Sequence, residues 1–298
     1  MKLATYRDGS RDGQLVVVSR DLALAHYAGS IASRLQQVLD DWNFLSPQLE
    51  DLSATLNTGK ARHAFAFDPA RCLAPLPRAY QWVLPAGGTI LQHASDTLLA
   101  AHDSQAFEPA RPGALLHAGF AIVTGDLPRH ATPAQALERV RLVLLAHVWG
   151  VAQGPCPPGA FAPVAVTPEE LGAGWHDGRV RLALRSRIEG PGAIDGHAPA
   201  PGAIDDPAPS PCADFADVLS RLARVRPVPA GSIIGPQLPA AASLPAEPGR
   251  RGEDAACAQT GWAPGSTAHT EAIGADGLSV FGAISQRLVL EPDAQAPA

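Results

Sequence analysis

Lysine is almost missing from this sequence: Lys2 and Lys60 are the only two in 298 residues, and arginine supplies the rest of the positive charge. No run of Lys/Arg breaks the overall balance of -6, so the electrostatic footprint of a nucleic-acid or membrane-surface binder is lacking. Cysteine is sparse as well. Cys72, Cys156, Cys212 and Cys257 lie far apart with no C-x-x-C pair, which argues against a zinc module and reads as free thiols in a reducing compartment. No stretch approaches the roughly 20 apolar residues that span a bilayer. The opening M-K-L-A-T-Y-R-D-G meets charge at once, without the apolar core of a secretory signal, so a soluble cytoplasmic protein is expected. Aromatic residues make up only 5%, against 28 Gly and 29 Pro, which points to many turns around a core of small side chains.

What is present divides into short strands and a few helices. Residues 2 to 6 and 14 to 18 read as a hairpin around Asp8-Gly9 and Asp12-Gly13. Helical spacing predicts one helix from Ser30 to Leu39 and a second from Ser46-Pro47 through Leu49, Leu52 and Leu56 to a stop at Gly59. Ala64 to Phe67 and Cys72-Leu73 look like short extended pieces. Phe120 to Thr124, ended by Gly125-Asp126, is the pattern of a buried strand entering a turn. Thr132-Pro133 caps a helix whose apolar face carries Ala136, Leu137 and Val140, leading into a core strand from Leu142 to Val148. Further strands are expected at Val164 to Val166 and Arg179 to Leu184, with a capped turn at Thr167 to Leu171 between them. Asp214 to Arg224 is a short amphipathic helix, and P-V-P-A-G-S-I-I-G a strand after a turn. Residues 189 to 212, which repeat P-G-A-I-D, and 236 to 256 carry too little apolar surface to offset their ordering entropy and read as loops. Thr270 to Ile273 and Ser279 to Leu290 form a closing hairpin around Ala275 to Leu278.

The segment from Gly113 to Asp126, G-A-L-L-H-A-G-F-A-I-V-T-G-D, resembles the F-E-A-E-x-A-V-V-T-G-D type segment of the fumarylacetoacetate hydrolase family. The likeness extends to M-K-L-A-T-Y-R-D-G, L-D-D-W and P-L-P-R-A-Y-Q-W near the start and to V-F-G-A-I-S-Q-R near the end. It implies an α+β fold with a small N-terminal domain over 1–82 and a β-rich C-terminal domain over 83–298, assembled as a homodimer or beside a paralogue.

The resemblance also implies a chemistry that this sequence departs from. Family members hold Mg²⁺ or Mn²⁺ and act on short oxo or dioxo acids, and hard cations take oxygen ligands. The two metal-binding glutamates fall here on His117 and Gly119. A further ligand, an aspartate, falls on Val148 or, with a one-residue shift, on His147. The family's lysine falls on Cys156 and its carboxylate-binding threonine on Leu238. His93 lies on a histidine common among relatives, while Asp96 and Asp103 remain nearby. A tyrosine-bearing loop of the family has no counterpart between Gln92 and Pro112. The resemblance therefore implies a homologue without the Mg-dependent reaction and without a cofactor. Two readings stay open: metal-independent chemistry on a small molecule by His117, His147, Cys156 and His93, or a non-catalytic structural or regulatory partner. Convergence of His117, His147 and Cys156 on one open cavity is expected for the first. Trp149 and Leu238 filling the space is expected for the second.

Overall fold

The computed structural model describes residues 1–86, 88–107, 115–150, 157–190, 214–238, 258–259 and 264–290. Strands β1 (Lys2–Tyr6) and β2 (Gln14–Val18) pair antiparallel, with Leu3 opposite Val17, as the alternating turn signals predict. A third strand, β3 (Leu24–Tyr27), and the short β4 (Phe65–Ala66) extend this edge. Two helices intervene, α1 (Leu35–Asp40) and α2 (Trp42–Asn57).

Pro47 does not open the second helix but lies inside it, five residues after its start. The N–H that proline lacks would have bonded the carbonyl of Asn43, an exposed residue whose carbonyl water can reach, so the break costs little. Leu49 and Leu56 on the inner face hold the helix in place.

Next come β5 (Trp82–Ala86), β6 (Thr89–His93) and β7 (Gln105–Phe107). The two longest strands follow, β8 (Leu115–Thr124) and β9 (Val140–Gly150), with α3 (Pro133–Leu137) between them. Thr132 caps α3 as expected, in a reciprocal capping box with Gln135, but the helix stops at Leu137. Val140, placed on the helix by its spacing, instead opens β9 opposite Thr124. The ladder outweighs the helical period for this β-branched residue.

The strands β10 (Ala160–Phe161) and β11 (Val164–Val166) pair with β9. After β11 comes a tight helical stretch, Pro168–Gly174, whose expected Thr167 cap is absent because the Thr167 hydroxyl accepts from the Met1 amine at 2.8 Å instead. The single strand expected over Arg179–Leu184 is two. β12 (Trp175–His176) pairs with β13 (Arg179–Val180), whereas β14 (Ala183–Glu189) belongs to another sheet. Asp214 caps α4 (Phe215–Val225), and β15 (Ile233–Ile234) and β16 (Ala258–Gln259) both pair with β8. The closing hairpin is β17 (Thr267–Ile273) and β18 (Ile284–Leu290), so its last strand begins five residues later than the pattern suggests. Gly282 has φ +76, a left-handed conformation outside the regular strand region, and the strand starts after it. The two expected loops, 189–212 and 236–256, lie almost wholly outside the described residues.

One large sheet runs β4-β3-β2-β1-β11-β9-β8-β15-β5-β6, and a smaller one runs β14-β17-β18-β7. The large sheet is buried on both sides, which is why β9 reads as an almost continuous apolar run rather than an alternating one. One face packs Phe120, Ile122, Val143 and Leu145 with Phe215 and Leu219 of α4. The other packs Ala121, Val123, Leu142 and Leu144 with Leu35, Leu39 and Leu49 of the first two helices. A small third cluster, Phe107, Leu116, Trp149, Ala268 and Leu288, joins the large sheet to the smaller one.

Candidate functional site

The centre of the molecule is the β8–β9 ladder, and its register decides which side chains can meet. His117 is opposite Val148, Gly119 opposite Ala146, and Ala118 opposite His147. Residues opposite one another share a face and successive residues alternate. His117, Gly119 and Val148 therefore project to one side, and His147 and Trp149 to the other. The expected convergence of His117 and His147 does not occur. Strand alternation forbids it, since His147 is next to the residue that faces His117. Cys156 lies outside the described residues.

Gly119 is a point of close approach on the His117 face. A Cβ placed there would come within 2.9 Å of Pro236 Cβ, closer than side chains pack. Pro236 thus occupies the space into which any side chain at 119 would project. Val148 is opposite His117 on this face, and Leu238, buried beside Ala86, belongs to the same apolar cluster. Farther along this face Trp82 donates its indole N–H to the Gly235 carbonyl at 2.5 Å and lies 4.4 Å from the His93 ring and 4.9 Å from that of Phe161. His93 is opposite Trp82, Trp82 opposite Ile233, and Ile233 opposite Val123. His93 and His117 consequently share a face at different levels of the sheet.

Both of these histidines are buried, and the Nε2 of each has no hydrogen-bond partner among the described residues. His93 Nδ1 lies 3.3 Å from the Ala94 carbonyl, so that nitrogen carries the proton. Burial lowers the pKa of each below the ordinary histidine value and keeps the rings neutral, with the Ala94 contact partly opposing it for His93.

On the opposite face His147 is fully buried between the two sheets. Its Nδ1 lies 3.1 Å from Gln286 Oε1, and Trp149 Nε1 reaches the same oxygen at 3.5 Å. Two donors meeting one atom identify it as the amide oxygen and fix the Nδ1–H tautomer, leaving Nε2 without a partner. Burial drives the pKa of His147 down to about 4, with the Gln286 bond opposing it. Trp149 fills the layer against Phe107, ring centroids 5.2 Å apart, on the side away from Gly119. It does not fill the space over Gly119, as expected for the non-catalytic reading; Pro236 lies there instead. Nothing in the sequence singles out Pro236 or Gln286, because both act across more than a hundred residues of chain. Of the two aspartates noted earlier, Asp103 accepts from Arg7 at 2.6 Å and from the Ala100 N–H at 2.8 Å, and Asp96 is exposed.

The donor set at the centre does not fit a hard divalent cation. His117, Gly119 and Val148 together offer one imidazole nitrogen and no carboxylate, whereas Mg²⁺ wants near-octahedral oxygen ligands. Among the described residues, no three His, Cys, Asp or Glu side chains are grouped to hold a metal ion. No helix is long and apolar enough to cross a membrane among those residues.

Residues 1–78 match the family model described as fumarylacetoacetase N-terminal domain 2. No curated protein matches the chain. Among solved structures, a maleylpyruvate hydrolase from Sphingobium sp. SYK-6 is similar at TM-score 0.67 and 12% identity, with 98% of this chain and 100% of that chain covered. The same enzyme in complex with manganese(II) ion and pyruvate gives 0.66 at 13% identity over the same shares, 98% and 100%. A 2-hydroxyhepta-2,4-diene-1,7-dioate isomerase from Mycobacterium marinum gives 0.57 at 14% identity, again covering 98% and 100%. Likeness at such identities carries the fold and leaves the chemistry to the residues. The chain thus carries the fumarylacetoacetase N-terminal domain 2 over its first 78 residues and, over its whole length, the fold of these solved hydrolases and isomerases.

Proposed function

We propose that this chain is a fumarylacetoacetate hydrolase homologue that has lost metal-dependent hydrolysis of oxo acids and serves as a non-catalytic structural or regulatory partner. In this reading residues 1–82 form a packing domain and 83–298 hold the altered pocket, and the protein works in the cytoplasm as a homodimer or beside an active paralogue. The observation that carries it is the close packing of Pro236 on Gly119. An acidic side chain at 119 has no room to start, so the change at this position goes beyond the loss of one ligand. The separation of His117 from His147 across the sheet adds to it, because no acid–base pair forms from them.

One observation favours a second reading, in which the pocket retains metal-independent chemistry or ligand binding. His93 and His117 are neutral, share a face, and each presents a buried Nε2 without a partner. Such atoms are rare in cores and are often reserved for a ligand.

Both readings face the same first experiment: metal content by plasma mass spectrometry on protein purified without chelator, with acylpyruvate hydrolysis followed with and without added Mg²⁺. No turnover under either condition is expected. Turnover with stoichiometric Mg²⁺ or Mn²⁺ would overturn the proposal. Metal-independent turnover abolished by His117→Ala would establish the second reading in its place.

A further inference from the structure

Far from His117, beyond the other end of β8, the turn after Thr124 opens on a surface cleft of about 620 Å³. That is the size range of small-molecule sites. Its walls include Leu127, Pro128, Val228 and Pro229, with Asp126 and Arg139 as its charged members among the described residues. The walls are stiff. Leu127 and Val228 exchange both backbone hydrogen bonds at 2.9 Å, and the prolines fix their own φ.

The charge of the two segments that form this cleft runs against that of the whole chain. Residues 126–141 and 224–229 carry five arginines, Arg129, Arg139, Arg141, Arg224 and Arg226, against only Asp126 and Glu138, in a chain whose formal charge is -6. Much of the one lining carboxylate is already committed, since Asp126 Oδ1 accepts the Ala230 N–H at 2.9 Å. Arg139, by contrast, has no ion-pair partner among the described residues, and neither does Arg141 behind it.

Arg141 is brought there by a defect in the ladder. Leu142 is opposite Val123 but Val140 is opposite Thr124, so Arg141 is the extra residue of a bulge. Bulges re-aim side chains, and this one lays the guanidinium against Gly125, where a Cβ would come within 2.8 Å of Arg141 Nε. The Trp42 ring, 5.4 Å from the guanidinium carbon, closes its other side. Arg141 Nε is buried without a hydrogen-bond partner. A positive charge is thus held under the turn that forms one wall of the cleft, with Arg139 at its surface.

We propose that this cleft binds a small organic carboxylate with an apolar body, the carboxylate meeting Arg139 and the body lying against Leu127, Val228 and the prolines. Planar guanidinium groups suit carboxylates in particular, and a preformed wall lowers the ordering cost of binding. The site is separate from the pocket of His117 and does not depend on the function proposed for it.

Isothermal titration of the full chain with phenylacetate, against 2-phenylethanol as the uncharged analogue and acetate as the body-less one, tests this. Phenylacetate should bind more tightly than either. Arg139→Gln should weaken it about tenfold, the loss of one charge-assisted hydrogen bond, while Arg185→Gln on β14 should leave it unchanged. Asp126→Asn keeps an oxygen for the Ala230 N–H and removes the opposing charge, so it should tighten binding and serves as the readout if Arg139→Gln fails to fold. Absence of phenylacetate binding to the wild type, or equal affinity in the wild type and both cleft variants, would overturn the proposal.

Discussion

Acid should loosen this protein through His147, and the size of the effect follows from its setting. The ring is fully buried, donates Nδ1–H to Gln286, and has its pKa carried from the ordinary 6.5 down to about 4. In the unfolded chain the same ring takes up a proton as the pH falls through 6.5. Between these values the unfolded state holds more protons than the native state. Stability is therefore whole above pH 6.5 and is lost as the pH falls towards 4, by about 1.4 kcal/mol per pH unit and on the order of 3 kcal/mol in total. His93 and His117, lowered by burial in the same sense, steepen the fall. Urea unfolding followed by tryptophan fluorescence at half-unit steps from pH 7.5 to 4.5 gives the slope. His147→Leu should flatten it by the equivalent of one proton, whatever the variant's stability at neutral pH. Equal slopes for wild type and variant would refute the reasoning, as would a His147 imidazole resonance titrating near 6.5 in the native state.

Three further substitutions test the packing described above. Gly119→Ala should cost about 1–3 kcal/mol through overpacking against Pro236, a fall in melting temperature of about 2–5 °C for a chain of this size, read by calorimetry. Gly159→Ala should cost more than Gly119→Ala, because its Cβ would fall 2.1 Å from the Trp82 ring and 2.9 Å from the His147 carbonyl, neither of which can swing aside; a smaller loss would show that the ring moves. Asp12→Asn should cost about 1 kcal/mol by urea midpoint, since one partly exposed carboxylate accepts from Arg78 at 2.7 and 2.8 Å and from Arg34 at 2.9 Å. The hydrogen bond and charge of Arg78 hold the Asp12 carboxyl below its usual range, so this contribution disappears as the pH falls through the acid range.

Elements with a local signal were legible in the sequence. β1 and β2 occupy the residues their turn chemistry predicts, and α4 begins after its Asp214 cap. Those without one were not. β3, β6 and β7 are short and hold their places by pairing with β2, β5 and β18, partners that no local pattern announces. Pro47 misled because its cost depends on whether the orphaned carbonyl meets water. At the site, the absence of a carboxylate at His117 and Gly119 is plain in the sequence. That His147 turns away from His117 follows only from the ladder's register, and the partnership of Gly119 with Pro236 only from the tertiary packing.

The large sheet also sets an order on the protein's birth. Lys2 of β1 is paired with Val166 of β11, a strand synthesised 164 residues later. At ordinary translation rates of about 5–20 residues per second, roughly ten to thirty seconds pass before the first strand can meet that partner. Throughout that interval β1 and β2 can form their hairpin, but the outer edge of β1 stays open on the nascent chain. Such an edge is a template for mispairing. A strand made early is completed late, and the ribosome-bound intermediate carries an edge open to chaperones and to aggregation.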